Sequence, residues 1–267
     1  MPRARTEFSD ISFVNMPYPE IENVASKPGS VLTVPVGAVE QHGHHLPVGT
    51  DMILAEEITF RAASSVSDRI PILSTPSVWP GYSPHHMSFG GTLSTGREHL
   101  IDLLTDVVDS VIDTGFDSIL FVNGHGGNMS LISSLVSETG AATTGVEILA
   151  ITYFEFATDV ITDLRDSDIG GMAHAGEFET SLMLYLCPHL VSEDEISGKL
   201  RETDYELERK DLMQGAPLSV YRPYEEYSPT GAVGDPVKAT SEKGERMTEA
   251  IVGELGDLLL VVHENTA

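Results

Sequence analysis

Glu40, His42 and Asp51 are the first side chains of the sequence whose types and spacing could bind a metal. Glu40 and His42 lie two positions apart, so both point the same way if the segment is extended. A carboxylate, an imidazole and a second carboxylate suit Zn²⁺, Mn²⁺ or Fe²⁺. We therefore predict metal binding, although these residues could instead satisfy turn and helix-cap bonds, as Asp51 could at a helix start. The neighbouring His44 and His45 are interpreted as loop or supporting groups.

A second group surrounds His125 with glycine, in the segment NGHGGN at positions 123–128. It follows an apolar run and precedes a helical pattern, which predicts a tight strand-to-helix turn. Such a turn could instead cradle a phosphate. However, the segment is not GxGxxG and lacks the lysine of a P-loop. A central histidine suits a metal better, and we predict that it projects from the same sheet edge as the first group.

A third group, HAGEFETS at positions 174–181, contains His174 and Glu179 at the start of a predicted helix. The two residues are five positions apart and need not share a helix face, so the turn before Phe178 must bring them together. On spacing alone, Glu179 is either a cap group or a ligand. Its occurrence together with the other two groups favours a ligand. Glu177, between them, is expected to be solvated.

Four short apolar runs are the predicted strands that position these groups: Val31–Val36, 70–73, 118–122 and Glu147–Thr152. Such apolar runs are typical of a parallel sheet covered on both faces, with Pro71 tolerated only at a strand start. Predicted helices alternate with them at 51–66 (after an N-cap at Thr50), 95–114, 129–137, 178–186 and 241–263. The pattern predicts an α/β fold, a three-layer α/β/α sandwich with a mostly parallel central sheet, in one domain over 1–267. Ligands collect at the carboxyl ends of strands in such sheets, so the three groups are expected to meet there.

Two long segments, 74–91 and 214–235, are rich in Pro, Gly and Tyr and contain no predicted helix or strand. Segments of this length within a compact domain are usually functional or disordered. The first includes a stretch from Trp79 through Tyr82 to Phe89, which we predict to line a substrate pocket. The alternative is that its aromatic side chains simply pack over the sheet edge.

The 267-residue chain has 41 acidic and 15 basic residues, for a formal net charge of −26. This charge repels phosphate backbones and anionic lipids, so we expect neither nucleic acid nor membrane as a partner. Only five basic residues are lysines, which favours a halophilic protein whose self-repulsion is screened by salt; the alternative is an ordinary acidic cytosolic protein. Cys187 is the only cysteine and is expected to fill core space. Without a long apolar run or signal core, we expect a soluble, cytoplasmic protein.

Together, the three groups resemble the motifs of the creatininase (creatinine amidohydrolase) family. GAVEQHGHHLPVGTD, NGHGGN and HAGEFETSLML occur in that family's order and at fitting distances, and the segment 234–244 is similar to the family's C-terminal part. The likeness covers residues 31–263. It implies a three-layer α/β fold, a hydrolytic centre with two metal ions and, often, a hexameric assembly.

The resemblance also implies roles for individual residues. Those that match metal-binding positions, with Asp51 as the bridge, are Glu40, His42, Asp51, His125 and Glu179. His174 matches a catalytic or substrate-contacting histidine. The implied cofactors are two divalent ions, for which we expect Zn²⁺, while Mn²⁺ or Fe²⁺ would also suit the ligands.

The family's activity implies hydrolysis of a C–N bond in a cyclic or small, creatinine-like amide by a metal-activated water. His174 would transfer the proton to the departing nitrogen. Alternatives within the family are a deformylase acting on a formamide-bearing pyrimidine and a peptide-processing enzyme. A non-catalytic protein that binds a metal or small molecule on the same scaffold is the alternative outside catalysis.

This chain departs from creatinine-hydrolysing members at positions around the substrate. Those members have an aromatic residue and a glutamate after the second-motif histidine, where this chain has Gly126 and Gly127. They also enclose the flat substrate with two tryptophans; here Phe154 is at or near the first position and Gly170 is near the second. The residues predicted to contact the substrate are Tyr82, Ser83, Gly126 and Phe154.

Overall fold

The sheet of the protein consists of four parallel strands in the spatial order β2-β1-β3-β4. The computed structural model describes residues 8–267. The strands are β1 (Val31–Val36), β2 (Ile72–Ser74), β3 (Ser118–Asn123) and β4 (Glu147–Thr152). Strand β2 begins two residues after the predicted start at Ile70, so that Pro71 lies just outside the strand; the Pro71 carbonyl accepts a hydrogen bond from the backbone N–H of Val31. The predicted α/β fold with a parallel sheet is confirmed.

Helices cover both faces of the sheet, and β1 and β3 are therefore buried along their whole length. The helices are α1 (Tyr18–Ala25), α2 (Thr50–Val66), α3 (Arg97–Ile112), α4 (Met129–Ala142), α5 (Thr158–Leu164), α6 (Glu177–Leu186) and α7 (Ser241–Thr266). One apolar core joins the sheet to α2, α5, α6 and α7, and the other joins it to α1, α3 and α4. Burial on both faces explains why the strands are almost uniformly apolar in sequence.

The direction in which strands are added to the sheet reverses between β1 and β3. From β1 the chain passes through α2 to β2 on one side, and α3 then leads it to β3 on the other side of β1. The carboxyl ends of β1 and β3 consequently border a crevice, the place where open parallel sheets bind ligands. The segments that carry Glu40, His42 and His125 begin at these ends.

Two glycines allow α2 to begin close against the ends of both strands. A Cβ atom on Gly37 would overlap the backbone of Met52, and one on Gly124 would lie 2.9 Å from the carbonyl oxygen of Asp51. Glycine permits this approach because it has no side chain. The close approach places Asp51, in the first turn of α2, at the crevice.

Some helix boundaries differ from the predicted ones. Helix α2 begins at Thr50 with Gly49 at the N-cap, because the Thr50 hydroxyl donates to the carbonyl of Pro47 at 2.7 Å instead of capping the helix. The helices α1 and α5, which have only eight and seven residues, were not predicted from the sequence. Helices this short contain too few periodic positions to be recognised from spacing.

Helix α7 is 26 residues long and packs against α2 and α6. Met247, Ile251, Leu255 and Leu259 recur every four residues and form its buried face, as expected for an amphipathic helix. Cys187 is buried in the same core, as predicted. Within residues 8–267, no helix has both the length and the apolar character needed to cross a bilayer.

Candidate metal centre

The crevice between β1 and β3 gathers all five residues that were predicted to bind metal. Each is no more than 4% exposed, so bulk water does not screen the interactions between their charges. They are Glu40, His42, Asp51, His125 and Glu179. Three carboxylates buried this close together require protons or cations to offset their mutual repulsion.

Asp51 lies between two groups of ligand atoms. Its Oδ1 is 3.0 Å from His42 Nε2, which is itself 4.0 Å from Glu179 Oε2; these three residues are called the His42 cluster. Its Oδ2 is 2.9 Å from His125 Nδ1, which is 3.4 Å from Glu40 Oε1; these are the His125 cluster. Because each Asp51 oxygen belongs to a different cluster, the carboxylate is placed to bridge two cations.

Backbone carbonyls fix which nitrogen of each histidine faces the carboxylates. His42 Nδ1 is 3.0 Å from the carbonyl oxygen of Glu40, and His125 Nε2 is 3.2 Å from that of Tyr82. A carbonyl can only accept a hydrogen bond, so these two nitrogens carry the hydrogens. The neutral rings then direct lone pairs from His42 Nε2 and His125 Nδ1 toward Asp51, the arrangement usual for histidine ligands.

Lone pairs that face carboxylate oxygens at 2.9–3.0 Å need a shared proton or cation between them. Glu40 Oε2 is also buried without a hydrogen-bond donor among the described residues. Such orphaned acceptors are rare in folded proteins and require an explanation. The donor set of imidazole nitrogens and carboxylate oxygens fits two divalent cations such as Zn²⁺, Mn²⁺ or Fe²⁺.

Protons compete with cations for these ligand atoms and would neutralise part of the charge before a cation binds. Burial lowers the pKa of His42, but the Asp51 carboxylate outweighs burial, with help from Glu179 and Glu40, and raises the pKa to about 10. The pKa of His125 likewise rises to about 9, because Glu40 and Asp51 oppose the effect of burial. Both rings therefore hold a second proton at neutral pH until a cation displaces it.

The turn before α6 brings Glu179 into the His42 cluster. Ala175 adopts the left-handed conformation, with φ of +51°, and its N–H donates to Glu179 Oε2 at 2.6 Å. This conformation is uncommon for a residue with a side chain, and strain of this kind often occurs at functional sites. Burial and the Asp51 charge raise the pKa of Glu179 to about 7 against the opposing effect of His42.

His174 stands beside the His125 cluster and lines the adjoining cavity. Its Nε2 donates to the carbonyl of Gln41 at 2.6 Å, which leaves Nδ1 facing Glu40 Oε1 at 3.6 Å. Burial, together with the neighbouring His42 and His86, holds the pKa of His174 well below its usual value. The ring is thus neutral at physiological pH, with Nδ1 available as a proton acceptor.

No role was predicted for Gln41, and His86 was predicted only as part of the pocket-lining stretch 79–89. Gln41 Oε1 accepts from the Gly43 N–H at 2.9 Å, and its Nε2 donates to the Gly231 carbonyl at 3.1 Å, which fixes the amide orientation. The same Nε2 is 2.7 Å from His86 Nδ1, so that nitrogen accepts and His86 Nε2 carries the hydrogen. This Nε2 faces Glu40 Oε1 at 3.2 Å. Two signals were available in the sequence: Gln41 stands between two predicted ligands, and His86 lies in the segment predicted to line the pocket.

A cavity of about 270 Å³ opens above the metal centre. One wall consists of Gly126 and Gly127 with His85, His86 and His174. Much of the remaining lining comes from the stretch 201–227, whose second half overlaps the segment 214–235 that was expected to be functional or disordered. It contributes three arginines and three tyrosines: Arg201, Arg209, Arg222, Tyr221, Tyr224 and Tyr227.

The four residues predicted to contact the substrate lie in different places. Gly126 lines the cavity. The Tyr82 carbonyl and the Ser83 hydroxyl are each 3.2 Å from His125 Nε2, so they hold the ligand histidine rather than form the cavity wall. Phe154 is 1% exposed and packs in the core with α2, α6 and α7. The structure does not bring Phe154 to the cavity, because its large apolar ring is buried beneath the sheet edge.

The expectation that Glu177 is solvated was wrong. Its side chain is fully buried and forms an ion pair with Lys243 at the start of α7. It also accepts backbone hydrogen bonds from Asp166 at 3.0 Å and Ser167 at 2.9 Å. Glu177 therefore joins α6 to α7 and to the preceding loop, a structural role beside the metal centre.

The two remaining histidines of the first motif differ in exposure. His44 is exposed, whereas His45 is buried and its Nε2 is 3.0 Å from the Thr180 hydroxyl. Thr180 directly follows Glu179, so His45 supports the start of α6, in line with the predicted supporting role.

Known proteins with similar sequences and folds include hydrolases. The family model for creatininase, described as creatinine amidohydrolase, matches residues 14–259. Mycofactocin precursor peptide peptidase from Mycobacterium ulcerans (strain Agy99) is 32% identical over 228 residues, which cover 84% of this chain and 82% of the relative. Creatinine amidohydrolase from Pseudomonas putida is 29% identical over 250 residues, covering 86% and 88%. A solved mutant creatininase of the Zn–Zn type has a TM-score of 0.77 at 25% identity, covering 96% of this chain and 98% of that one.

Proposed function

This chain belongs to the creatininase family of metal-dependent amidohydrolases, and we propose that the C–N bond it hydrolyses is a peptide-type amide. The observation that carries the hydrolytic part is the position of Asp51, whose two oxygens face the His42 cluster and the His125 cluster separately. A carboxylate between two such clusters is the arrangement used by hydrolases with two metal ions.

In this proposal, His42, Asp51 and Glu179 would hold one divalent cation, and Glu40, Asp51 and His125 would hold the other. We expect Zn²⁺, with Mn²⁺ or Fe²⁺ as substitutes. When bound, the two cations supply Lewis acidity that lowers the pKa of water and polarises an amide carbonyl. The buried position of the ligands excludes bulk water, which strengthens electrostatic interactions within the site.

His174 moves the proton in this mechanism. Its Nε2–H is committed to the Gln41 carbonyl, which orients the ring and keeps Nδ1 toward the site. Since the pKa of His174 is held below its usual value by burial, the neutral ring accepts a proton at Nδ1 from the attacking water. It then donates that proton to the departing nitrogen, completing the transfer.

The lining of the cavity favours a peptide substrate over a small, flat cyclic substrate. A Cβ atom on Gly127 would overlap His125 Nε2 and the Tyr82 carbonyl, so this arrangement of His125 leaves no room for a side chain at position 127. Gly126 beside it has no side chain and Phe154 is buried in the core, so none of these three positions places a side chain in the cavity. Similarity to a relative named as a peptide peptidase adds independent support.

A small cyclic amide of the creatinine type is the second candidate. It is supported by the similarity to the creatinine amidohydrolase from Pseudomonas putida, which extends over most of both chains. The likeness to a solved creatininase also covers nearly the whole chain. The two candidates share the metal centre and differ only in what the cavity accommodates.

The test is a substrate panel on metal-loaded protein, containing blocked and free short peptides, creatinine and a formamide substrate. We expect peptide hydrolysis, and we expect His174→Ala to lower kcat by about 100-fold or more without loss of bound metal. His99→Ala removes an exposed histidine of α3 and serves as the matched control. Hydrolysis of creatinine without any peptide would favour the second candidate, and hydrolysis of neither would contradict the proposal.

A further inference from the structure

The part of the cavity wall formed by residues 201–227 is unusually basic for this protein. The chain has only 15 basic residues, yet Arg201, Arg209 and Arg222 all line this one cavity. In a protein of net charge −26, a cluster of arginines around a cavity indicates recognition of an anion. Whether each arginine can bind an anion depends on the groups with which it is already paired.

Two of the three arginines are already neutralised by carboxylates. Arg201 donates to Glu208 Oε1 at 3.2 Å, and its guanidinium also stacks on a tyrosine ring. Arg222 forms an ion pair with Asp204. These pairs stabilise the segment over the cavity and leave no net charge for a ligand.

Arg209 is different, because neutral atoms hold its guanidinium. Its Nε–H donates to the Asp211 carbonyl at 3.1 Å, and one terminal nitrogen donates to the Leu212 carbonyl at 3.0 Å. The other terminal nitrogen is 3.3 Å from Met129 Sδ. The five N–H groups of a guanidinium exceed these three contacts, so two donors remain.

The positive charge of Arg209 is also not cancelled by a close carboxylate. Among the described residues its ion-pair partner is Glu155, whose Oε1 lies 4.0 Å away and whose side chain is half exposed, so that water screens the interaction. The side chain of Asp211, which also lines the cavity, is paired with Arg165 at 2.9 Å. Arg209 is therefore oriented by backbone carbonyls and keeps its charge for a ligand.

We propose that Arg209 binds a carboxylate of the substrate, and that the substrate is a peptide with its free C-terminus near the scissile amide. This inference rests on the proposed peptide-type function. One uncompensated guanidinium is balanced by one monoanion, and the fork of N–H groups matches a carboxylate. Leu212, Val220 and Tyr221 line the same wall and provide apolar surface for the adjoining side chains.

The position of Arg209 relative to the metal centre fits this assignment. Met129, which its guanidinium contacts, is the first residue of α4 and follows Gly126 by three positions. Gly126 in turn follows the ligand His125. The bound carboxylate would thus lie along the cavity wall at Gly126, with the amide directed toward the metal centre.

The experiment compares two peptides that differ only at the C-terminus, a free acid and a carboxamide. Metal-loaded wild type should hydrolyse the acid with a kcat/KM at least about tenfold higher. Arg209→Gln should lower kcat/KM for the acid by about 10- to 100-fold, mainly through KM, and leave the carboxamide unchanged. Arg246→Gln, which removes an exposed arginine of α7, is the matched control. Equal rates for both peptides, or an unchanged ratio in Arg209→Gln, would overturn the proposal.

Binding measurements separate this inference from the proposed function. Calorimetric titration of the same peptide pair, made with D-residues at the scissile bond, reports recognition without turnover. Tighter binding of the acid, lost in Arg209→Gln, supports the carboxylate site even if no peptide is hydrolysed. Ribose 5-phosphate is included as a phosphate monoester. If it binds through Arg209 and the peptide acid does not, the carboxylate assignment is wrong.

Discussion

Replacement of His86 by phenylalanine should weaken one of the two cation sites selectively. His86 touches no predicted cation, but its Nε2–H faces Glu40 Oε1 at 3.2 Å and its Nδ1 is 2.7 Å from Gln41 Nε2. Phenylalanine keeps the ring packing against Tyr224 and His174, at centroid distances of 4.1 and 4.4 Å, and removes both polar contacts. Glu40 would then lose the donor that orients it.

The size of the effect follows from the contact that is lost. A hydrogen bond to a charged acceptor contributes about 1.5–3 kcal/mol. Loss of a residue that orients a metal ligand typically lowers metal affinity by about 10- to 100-fold, or about 1.4–2.7 kcal/mol. The loss should fall on the His125 cluster, which contains Glu40, and spare the His42 cluster. Titration calorimetry with Zn²⁺ would show one of two binding phases weakened.

His99→Phe is the control for this experiment, since it makes the same replacement at an exposed histidine of α3 that does not line the cavity. Its isotherm should match that of the wild type. If the isotherm of His86→Phe also superimposes on the wild type, His86 does not orient Glu40 and the hydrogen-bond assignment is wrong.

Three further predictions concern pH, salt and the packing of α7. The raised pKa values of His42 and His125 stabilise the fold without metal; this contribution is fully present below about pH 6.5 and is lost as pH rises through 9 and 10. Over the same pH range, Zn²⁺ affinity should rise by up to about tenfold per pH unit for each proton that the ion displaces. A Zn²⁺ affinity that does not change with pH in calorimetry would contradict this prediction. Because salt screens the self-repulsion of a chain with a net charge of −26, the thermal unfolding midpoint should rise when the KCl concentration is increased from about 0.1 M to about 2 M. A midpoint that does not depend on salt would argue against the halophile interpretation. Lys243→Met should lower the free energy of unfolding by about 2 kcal/mol in urea titrations, because it leaves the buried Glu177 without its cationic partner. An unchanged midpoint would show that the backbone N–H groups of Asp166 and Ser167 are enough to stabilise the buried Glu177 carboxylate.

The strands could be predicted from the sequence because burial in the sheet determines which residue types they contain. The strands β1 and β4 have the predicted bounds, β3 extends one residue further, and β2 lies at Ile72–Ser74 instead of 70–73. The strands β1 and β3 are buried along their whole length and must be apolar throughout, whereas β4 is partly exposed. The short helix α5 could not be recognised, since seven residues span barely two turns. The hexameric assembly and cytoplasmic location remain predictions.

The residues of the metal centre were predictable for a different reason. Glu40, His42 and His125 directly follow strands whose ends must meet at one sheet edge, so their convergence follows from topology. Glu179 required the left-handed Ala175, a conformation that spacing alone does not indicate. For Glu179, the family motif supplied what local periodicity could not.

The positions of Glu177, which was predicted incorrectly, and of Gln41, for which no role was predicted, depend on contacts with residues that are distant in the sequence. Glu177 is buried because Lys243, 66 positions further along the chain, reaches it. Gln41 is fixed by the Gly231 carbonyl, 190 positions away, and Gly231 itself has a φ of +86° with no space for a Cβ beside Gln41. Contacts at such separations are set by the complete fold and leave no periodic signal in the sequence.

The most direct test of the central claim is the metal content per chain of wild type and Asp51→Ala, after reconstitution with Zn²⁺ in high salt and removal of excess ion. If Asp51 bridges two clusters, the wild type should hold about two ions per chain, and Asp51→Ala should lose at least one. Asp68→Ala, which removes an exposed carboxylate after α2, should retain both. A wild type that binds no ion specifically, or an Asp51→Ala protein that still holds two, would contradict the account.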